Sequence, residues 1–275
     1  MANNPLRKYF RQPKVYVSLP SKGVYNNPGT FAADPENMPI YGMTGMDELL
    51  LKTPDALLNG ESTVKVIESC CSAIKDAWDL SILDLDLLLV AIRIATYGNV
   101  MNVTHTCPAC KETNDYDIEL GNIIEHYKNA HYENKIVLKD LAIKIRPLNY
   151  KQWTAFQLKS FAMQRQLAQA MTLEDEEAKT RIVNELFEQL TYTQKDMMIE
   201  QIDTVEVPEG SVDQQEYITE WVTNSEQSVF EAIKKQIEIN RLAWEIPAVS
   251  ATCPECNAEN KIAITMDQSS FFVRA

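Results

Sequence analysis

The chain has 275 residues, of which 45% are hydrophobic and 24% charged, a composition typical of a globular protein with one or two domains. Its net charge of -13 argues against binding to duplex DNA. Eight glycines are few for a glycine-rich nucleotide-binding fold. The longest apolar run, Leu87 to Ile92, is too short to span a bilayer, and the first residues lack the pattern of a secretory signal. We therefore expect folding in a reducing cytoplasm, where cysteines serve as metal ligands or buried thiols.

The N-terminal region carries positive charge on an otherwise acidic chain. Residues 1–33 hold five basic side chains and no acid, so the remainder carries -18. The alternation from Lys14 to Leu19 predicts a short strand between turn-forming residues. We expect an extended arm over residues 1–40 that either lies on its own acidic body or docks on a neighbouring subunit. The candidate partner-binding residues are Arg7, Lys8, Arg11, Lys14 and Lys22.

Residues 41–98 are predicted to be helical. A one-sided helix is expected from Ser62, because apolar residues recur at intervals of three and four. These residues are Val64, Ile67, Cys71, Ile74 and Trp78. Cys70 and Cys71 are expected to be buried thiols, with a vicinal redox pair as the alternative. The segment from Ser81 to Tyr97 is apolar nearly all round and predicts a central buried helix, whose first turns place Asp84 and Asp86 at the positive end of its dipole.

Two segments have the same pattern of strand, C-P-x-C turn and second strand. They are predicted to be hairpins at residues 99–121 and 248–275. The matching residues are Thr106, Cys107, Pro108, Cys110 and Asn114 in the first copy, and Thr252, Cys253, Pro254, Cys256 and Asn260 in the second. Two cysteines separated by two residues at a tight turn can direct both sulfurs at one cation. The four cysteines therefore predict a closed, tetrahedral structural zinc site.

The two turns are unusually far apart for one site. Between Cys110 and Cys253 lie 142 residues, whereas a compact zinc ribbon leaves about 15 to 20. Lengthening the loop costs only roughly 2 kcal/mol, because loop-closure entropy grows logarithmically. Zinc binding in small domains contributes on the order of 10 to 16 kcal/mol. We therefore predict a split zinc ribbon, with residues 122–247 inserted between its halves.

Other interpretations of the cysteine pattern remain open. Each turn could be a dithiol redox centre, or could share its metal with a partner chain. A nucleic-acid-binding ribbon is disfavoured, because both hairpins are rich in acids. His105 is a possible substitute ligand, although a strand position explains it better. Lys111 and Asn257 stand where glycine often follows such a turn, and lysine adopts a positive φ less readily than asparagine.

The inserted segment predicts one strand followed by helices. The strand runs from Leu141 to Pro147, and a long helix follows from Tyr150. Thr172 is predicted to cap a second helix, whose first turn holds the acids 174–177, which are too dispersed to form a metal site. A turn is expected at residues 208–210. Asn224 and Gln227 are expected to form the capping box of the last helix.

Together these elements predict an α+β fold with a mostly helical body, a split four-cysteine zinc ribbon and an extended N-terminal arm. The predicted regions are 1–40, 41–98, 99–121, 122–247 and 248–275. The chain contains none of the common nucleotide-binding, zinc-protease or serine-hydrolase motifs, and its three histidines have no convergent acids. We therefore expect neither enzymatic activity nor a small-molecule substrate.

Two segments resemble the baseplate protein family of T-even-like contractile-tailed phages, which includes the hub-associated protein of those phages. They are Leu19 to Tyr25, and Ile92 to Gly98 leading into a strand and the first C-P-x-C turn. The resemblance covers roughly the first 150 residues and, more loosely, the C-terminal hairpin.

The resemblance implies a non-enzymatic component of the tail baseplate, made in the host cytoplasm and located in the virion. Its partners would be other baseplate or tail proteins. One alternative is a hub-assembly chaperone that is absent from the mature virion. Another is a zinc-ribbon nucleic-acid-binding protein or transcription factor.

Overall fold

The computed structural model describes residues 4–52, 60–264 and 271–272. The chain forms two compact units, one made of residues 1–130 together with 245–275, and the other of His131–Trp244. Helices make up 48% of the chain and strands 20%. The expectation of a mixed helix and strand fold is therefore confirmed.

The N-terminal segment of the first unit is folded onto that unit. A short 3-10 helix spans Pro5–Tyr9, and strand β1 (Val15–Val17) pairs antiparallel with β2 (Met38–Ile40). The side chain of Leu19 is fully buried. The predicted strand is thus present, and β-pairing and apolar burial attach this segment to the unit.

Helices follow in the region where they were predicted. They are α1 (Gly45–Leu51), α2 (Glu61–Cys70) and α3 (Ile82–Tyr97). The expected helix through Trp78 is wrong beyond Cys70, because Cys71 adopts non-helical angles of φ -135° and ψ 80°. Ile74 instead forms a β-bridge with Phe31. The central helix is confirmed, since α3 is buried on nearly every side.

Two buried carboxylates fix the N-terminal loops to this helical core. Asp84, which is fully buried in α3, accepts hydrogen bonds from the backbone N–H of Ser21 at 2.9 Å and from the Ser21 hydroxyl. Asp79 accepts from the N–H of Asn27 at 2.7 Å and from the hydroxyl of Thr30 at 2.6 Å. Polar groups of Ser21, Asn27 and Thr30 therefore have partners within the unit, and Asp84 does more than complement the dipole of α3.

The first unit also contains both cysteine hairpins. The first consists of β3 (Val100–Thr106) and β4 (Thr113–Glu119), followed by helix α4 (Gly121–Asn129). The second consists of β9 (Val249–Thr252) and β10 (Glu259–Ile262). Within the predicted hairpin region 248–275, residues 265–270 and 273–275 lie outside the described residues.

The second unit is an antiparallel sheet packed against helices. Its sheet has the order β5-β6-β7-β8. These strands are Lys135–Leu138, Leu141–Ile145, Ile202–Val207 and Gly210–Val212. Its helices are α5 (Tyr150–Ala170), α6 (Glu176–Glu200), α7 (Gln215–Asn224) and α8 (Gln227–Ala243). The core contains Ile143, Ile145, Ile199, Ile202 and Ile233.

Two predicted helix caps in this unit are wrong. Helix α6 is capped by Asp175, which accepts from the N–H groups of Glu177 and Ala178, and Thr172 lies in the preceding turn. Asn224 is the last residue of α7, where its side chain donates to the carbonyl of Glu220 at 2.8 Å. A short polar residue near a helix end can satisfy either terminus, and the sequence pattern does not distinguish them.

Burial of Asp84 makes its contribution to stability depend on pH. Burial raises the pKa of Asp84 from 3.8 to about 6, so the folded chain binds this proton more tightly than the unfolded chain. The resulting stabilisation is fully present below pH 4 and is lost as pH rises toward 6. An Asp84→Asn variant stays neutral and avoids this loss. The free energy of unfolding of wild type minus that of Asp84→Asn should therefore fall, on the order of 2 to 3 kcal/mol, between pH 4 and 7.

Urea denaturation at several pH values measures this difference. The matched control is Asp140→Asn, which alters an exposed carboxylate in the turn between β5 and β6. A difference between wild type and Asp84→Asn that does not change with pH would contradict the prediction.

Candidate metal centre

Each cysteine turn is closed by the same pair of backbone hydrogen bonds. In the first turn the N–H of Cys107 donates to the carbonyl of Glu112, and the N–H of Lys111 donates to the carbonyl of Cys107, both at 2.9 Å. In the second turn the N–H of Cys253 donates to Ala258 at 2.8 Å, and the N–H of Asn257 donates to Cys253 at 2.9 Å. The two C-P-x-C segments therefore fold into equivalent turns.

The closing residue of each turn lies in the left-handed region. Lys111 has a φ of 67° and Asn257 a φ of 59°. Both occupy the position where glycine often follows a C-P-x-C turn. A side chain with a Cβ atom is strained there, and asparagine tolerates the conformation better than lysine.

The folded chain brings all four predicted ligands together. The sulfurs of Cys107 and Cys256 lie 3.7 Å apart, as do those of Cys110 and Cys253. All four sulfur atoms lie within 4.8 Å of one another. Each close pair joins one turn to the other, and such distances are compatible with the ligation of one metal ion by both turns.

Burial decreases from the first to the second cysteine of each turn. Cys107 and Cys253 are fully buried, whereas Cys110 is partly exposed and Cys256 is exposed. The cluster therefore has a closed side and a side that faces solvent. His105 is not part of it and instead contacts the ring of Tyr116 edge to face.

Each hairpin also places an asparagine side chain beside a cysteine sulfur of the other hairpin. Asn114 donates through Nδ2 to the sulfur of Cys253 at 3.7 Å, and the amide oxygen of the buried Asn260 lies 3.5 Å from the sulfur of Cys107. The Nδ2 atom of Asn260 lies 3.4 Å from the hydroxyl of Tyr116. When Cys107 is a thiolate, a 180° turn of the Asn260 amide exchanges the two roles and keeps both contacts. The sequence repeat contained both asparagines but did not indicate this reciprocal arrangement.

The four thiols cannot all ionise easily without a cation. The backbone amide of Cys110, assisted by that of Ala109, donates to the Cys107 sulfur and lowers the pKa of Cys107 to about 6. The amide of Glu112 favours the thiolate of Cys110, but burial and the neighbouring sulfurs outweigh it and raise the pKa of Cys110. One thiolate therefore forms readily at neutral pH and makes the next costly. A bound cation would remove that cost and release the remaining protons.

The other two cysteines lie in a different environment. Cys70 and Cys71 are fully buried at the end of α2. Burial raises the pKa of Cys70 to about 12 and that of Cys71 to about 11. Both are therefore protonated at neutral pH, as expected of core thiols.

The five basic residues of the N-terminal region have different surroundings. Arg11 pairs with Asp47 at 3.3 Å and donates to the carbonyls of Gly42 and Ser69. Lys22 pairs with Glu36 at 3.7 Å. These two side chains bind the chain's own residues, as the alternative of an arm lying on its own acidic body predicts.

The remaining three bases face solvent. Arg7, Lys8 and Lys14 are exposed and form no ion pair among the residues that the structure describes. Leu6 and Tyr9, in the same 3-10 helix as Arg7 and Lys8, are exposed by 61% and 73%. The exposed part of the region is therefore both basic and apolar.

Comparison with known protein families gives one result that bears on function. A family model described as "T4 bacteriophage base plate protein" matches residues 43–273, well over half of the chain. The matched range contains both cysteine turns and excludes the basic N-terminal segment. Comparison with curated proteins gave no match, and neither did comparison with solved structures. In the described part of the chain, no helix is both long and apolar enough to cross a membrane.

The strained turn at Lys111 generates a stability prediction. Lys111→Gly should raise the free energy of unfolding by about 1 kcal/mol, because glycine adopts a positive φ without strain. Asn257→Gly should give a smaller gain. Chemical denaturation of the full chain measures both effects. Lys111→Ala is the control, since it removes the long side chain but retains Cβ, and equal stabilities of the Ala and Gly variants would contradict the explanation.

Proposed function

The chain belongs to the T4 bacteriophage base plate protein family, and from this premise we propose that it is a non-enzymatic structural component of the hub region of a contractile tail baseplate. The family assignment carries the proposal. It implies a location in the virion tail and other phage proteins as partners. A component held in a large assembly needs a fixed shape and exposed contact surfaces, and the buried carboxylates and the sulfur cluster supply the first requirement.

We propose further that the cluster binds a structural zinc ion. A tetrahedral site with Zn–S bonds of about 2.3 Å places its sulfurs about 3.8 Å apart. Two of the sulfur separations across the turns, Cys107–Cys256 and Cys110–Cys253, are 3.7 Å. Four thiolate ligands leave no open position for a substrate or a catalytic water, which favours a structural role. The two hairpins would then form the halves of a split zinc ribbon, with residues 122–247 as the insertion.

The exposed N-terminal residues are the proposed contact with neighbouring proteins. Arg7, Lys8 and Lys14 are the members of the predicted set that form no ion pair among the described residues, whereas Arg11 is held by Asp47 and the exposed Lys22 pairs with the exposed Glu36. The adjacent exposed Leu6 and Tyr9 would supply apolar contact area. A partner with an acidic rim around an apolar pocket fits this combination.

The zinc proposal predicts metal content and stability. Protein purified without added metal should contain about one zinc per chain. Cys253→Ser should lower both the zinc content and the melting temperature, because it removes a ligand that is fully buried. Elemental analysis and thermal denaturation measure the two quantities. The control Cys71→Ser, which changes a buried cysteine outside the cluster, should keep its zinc. Stoichiometric iron in wild type would contradict the choice of zinc, and full zinc in Cys253→Ser would contradict the proposed set of four ligands.

The baseplate proposal predicts the composition of the virion. Peptides of this chain should appear at a fixed ratio to other baseplate proteins in mass spectra of purified particles. Particles assembled with Arg7→Glu/Lys8→Glu should contain less of the chain, whereas the control Lys234→Glu/Lys235→Glu, on α8, should be incorporated normally. Absence of the wild-type chain from mature particles would contradict the structural role and favour an assembly chaperone.

A further inference from the structure

The repeat shared by the two cysteine hairpins extends beyond the cysteines to one asparagine in each. Asn114 follows Cys110 by four residues and lies in β4. Asn260 follows Cys256 by four residues and lies in β10. Each asparagine therefore lies in the strand that leaves its own cysteine turn, at the equivalent position of its hairpin.

Each of these asparagines contacts a sulfur of the opposite hairpin. The Nδ2 atom of Asn114 lies 3.7 Å from the sulfur of Cys253, and the Oδ1 atom of Asn260 lies 3.5 Å from the sulfur of Cys107. Cys107 and Cys253 are the first cysteines of their turns, and both are fully buried. The two asparagines are thus placed at the two sulfurs on the closed side of the cluster.

The sulfurs on the open side have other donors. The backbone amide of Glu112 donates to Cys110, and that of Ala258 donates to Cys256. Both of these cysteines also have access to solvent. The buried Cys107 accepts from backbone amides of its own turn, but water does not reach it. On the closed side, therefore, only groups of the protein can offset charge on a sulfur.

Charge on the sulfurs follows from the proposed ligand set. Four thiolates around one divalent cation leave a net charge of -2 on the site. Hydrogen bonds from amide donors disperse that charge and fix the orientation of each ligand. Side-chain amides at the two buried sulfurs are placed where this contribution is largest.

Asn260 can supply such a donor without losing its other contact. With a thiol at Cys107, the S–H group donates to Oδ1 of Asn260, whose Nδ2 atom lies 3.4 Å from the hydroxyl of Tyr116. A metal-bound thiolate has no proton to donate, so it needs the Nδ2 group instead. A 180° rotation of the amide presents Nδ2 to the sulfur and Oδ1 to Tyr116, whose hydroxyl donates as readily as it accepts.

We propose that Asn114 and Asn260 are positioning residues of the zinc site, each donating its side-chain amide to the buried thiolate of the opposite hairpin and so determining how tightly the metal is held. Tyr116 acts through Asn260, by holding its amide in the donating orientation. This inference rests on the proposed zinc site and assigns a role to residues outside its four ligands. Because each contact joins the two hairpins of one chain, it also favours a site closed within that chain.

Zinc affinity of the full chain tests the proposal, measured by competition with a chromophoric chelator. Asn114→Ala and Asn260→Ala should each raise the Kd for zinc about tenfold to a hundredfold, the usual effect of removing a group that orients a metal ligand. Tyr116→Phe should raise the Kd less. It should have no further effect in the Asn260→Ala background, because its partner is then absent.

The spectrum of the cobalt-substituted protein separates positioning from packing. Loss of a hydrogen bond to a thiolate raises the energy of its lone pairs, so both asparagine variants should shift the sulfur-to-cobalt charge-transfer band to longer wavelength. Loss of packing alone leaves the band in place. The matched control is Asn102→Ala, which changes an exposed asparagine of β3 whose amide donates to Asp117 at 3.2 Å. It should keep both the wild-type Kd and the wild-type band.

The outcomes distinguish this inference from the zinc site itself. A wild type that binds no zinc would overturn both. Wild-type affinity in the asparagine variants, an unshifted cobalt band, or an equal loss of affinity in Asn102→Ala would overturn the inference and leave the zinc site standing. Circular dichroism verifies folding of each variant. Asn114 is only partly buried, so Asn114→Ala supplies the test by itself if Asn260→Ala does not fold.

Discussion

Four cysteine sulfurs from two turns meet at one point of the fold, although 142 residues separate the turns along the chain. The position of the four sulfurs constrains the path of both chain segments that carry them. The first unit has to be built from both ends of the sequence, and residues 131–244 form a separate unit between them. The contact is also mutual, because each close sulfur pair and each asparagine contact joins one turn to the other. Neither hairpin is complete by itself.

The structure shows which charged side chains of the sequence have partners within the chain. The N-terminal positive charge appeared in the sequence as one block, yet Arg11 is held by Asp47 and two backbone carbonyls, whereas Arg7, Lys8 and Lys14 form no ion pair among the described residues. The acidic excess is also distributed unevenly. Residues 201–233 contain eight acids and no base, whereas α5 contains no acid. Charge segregation along the sequence therefore does not translate directly into one charged surface of the fold.

Features set by short-range pattern could be predicted from the sequence, whereas features set by distant contacts could not. The two C-P-x-C turns, the buried α3 and strand β6 each depend on residues within one segment, and the structure has them where they were expected. Helix α2 ends at Cys70 although the apolar spacing continues, because Ile74 pairs with Phe31, more than forty residues earlier. The contact of Asp84 with Ser21 and the asparagine contacts at the sulfurs likewise join distant segments. No periodicity within a segment encodes such partners.

Because the chain is synthesised from its N-terminus, the two halves of the sulfur cluster are made at different times. The turn at Cys107 leaves the ribosome with half of the sulfurs, and the other half follows only after 142 more residues. At typical rates of synthesis this delay is on the order of 10 s, long enough for residues 131–244 to fold as a unit in the interval. Completion of the cluster is therefore one of the last folding events, and a chain interrupted before Cys253 retains two unpaired thiols that distinguish it from a finished one.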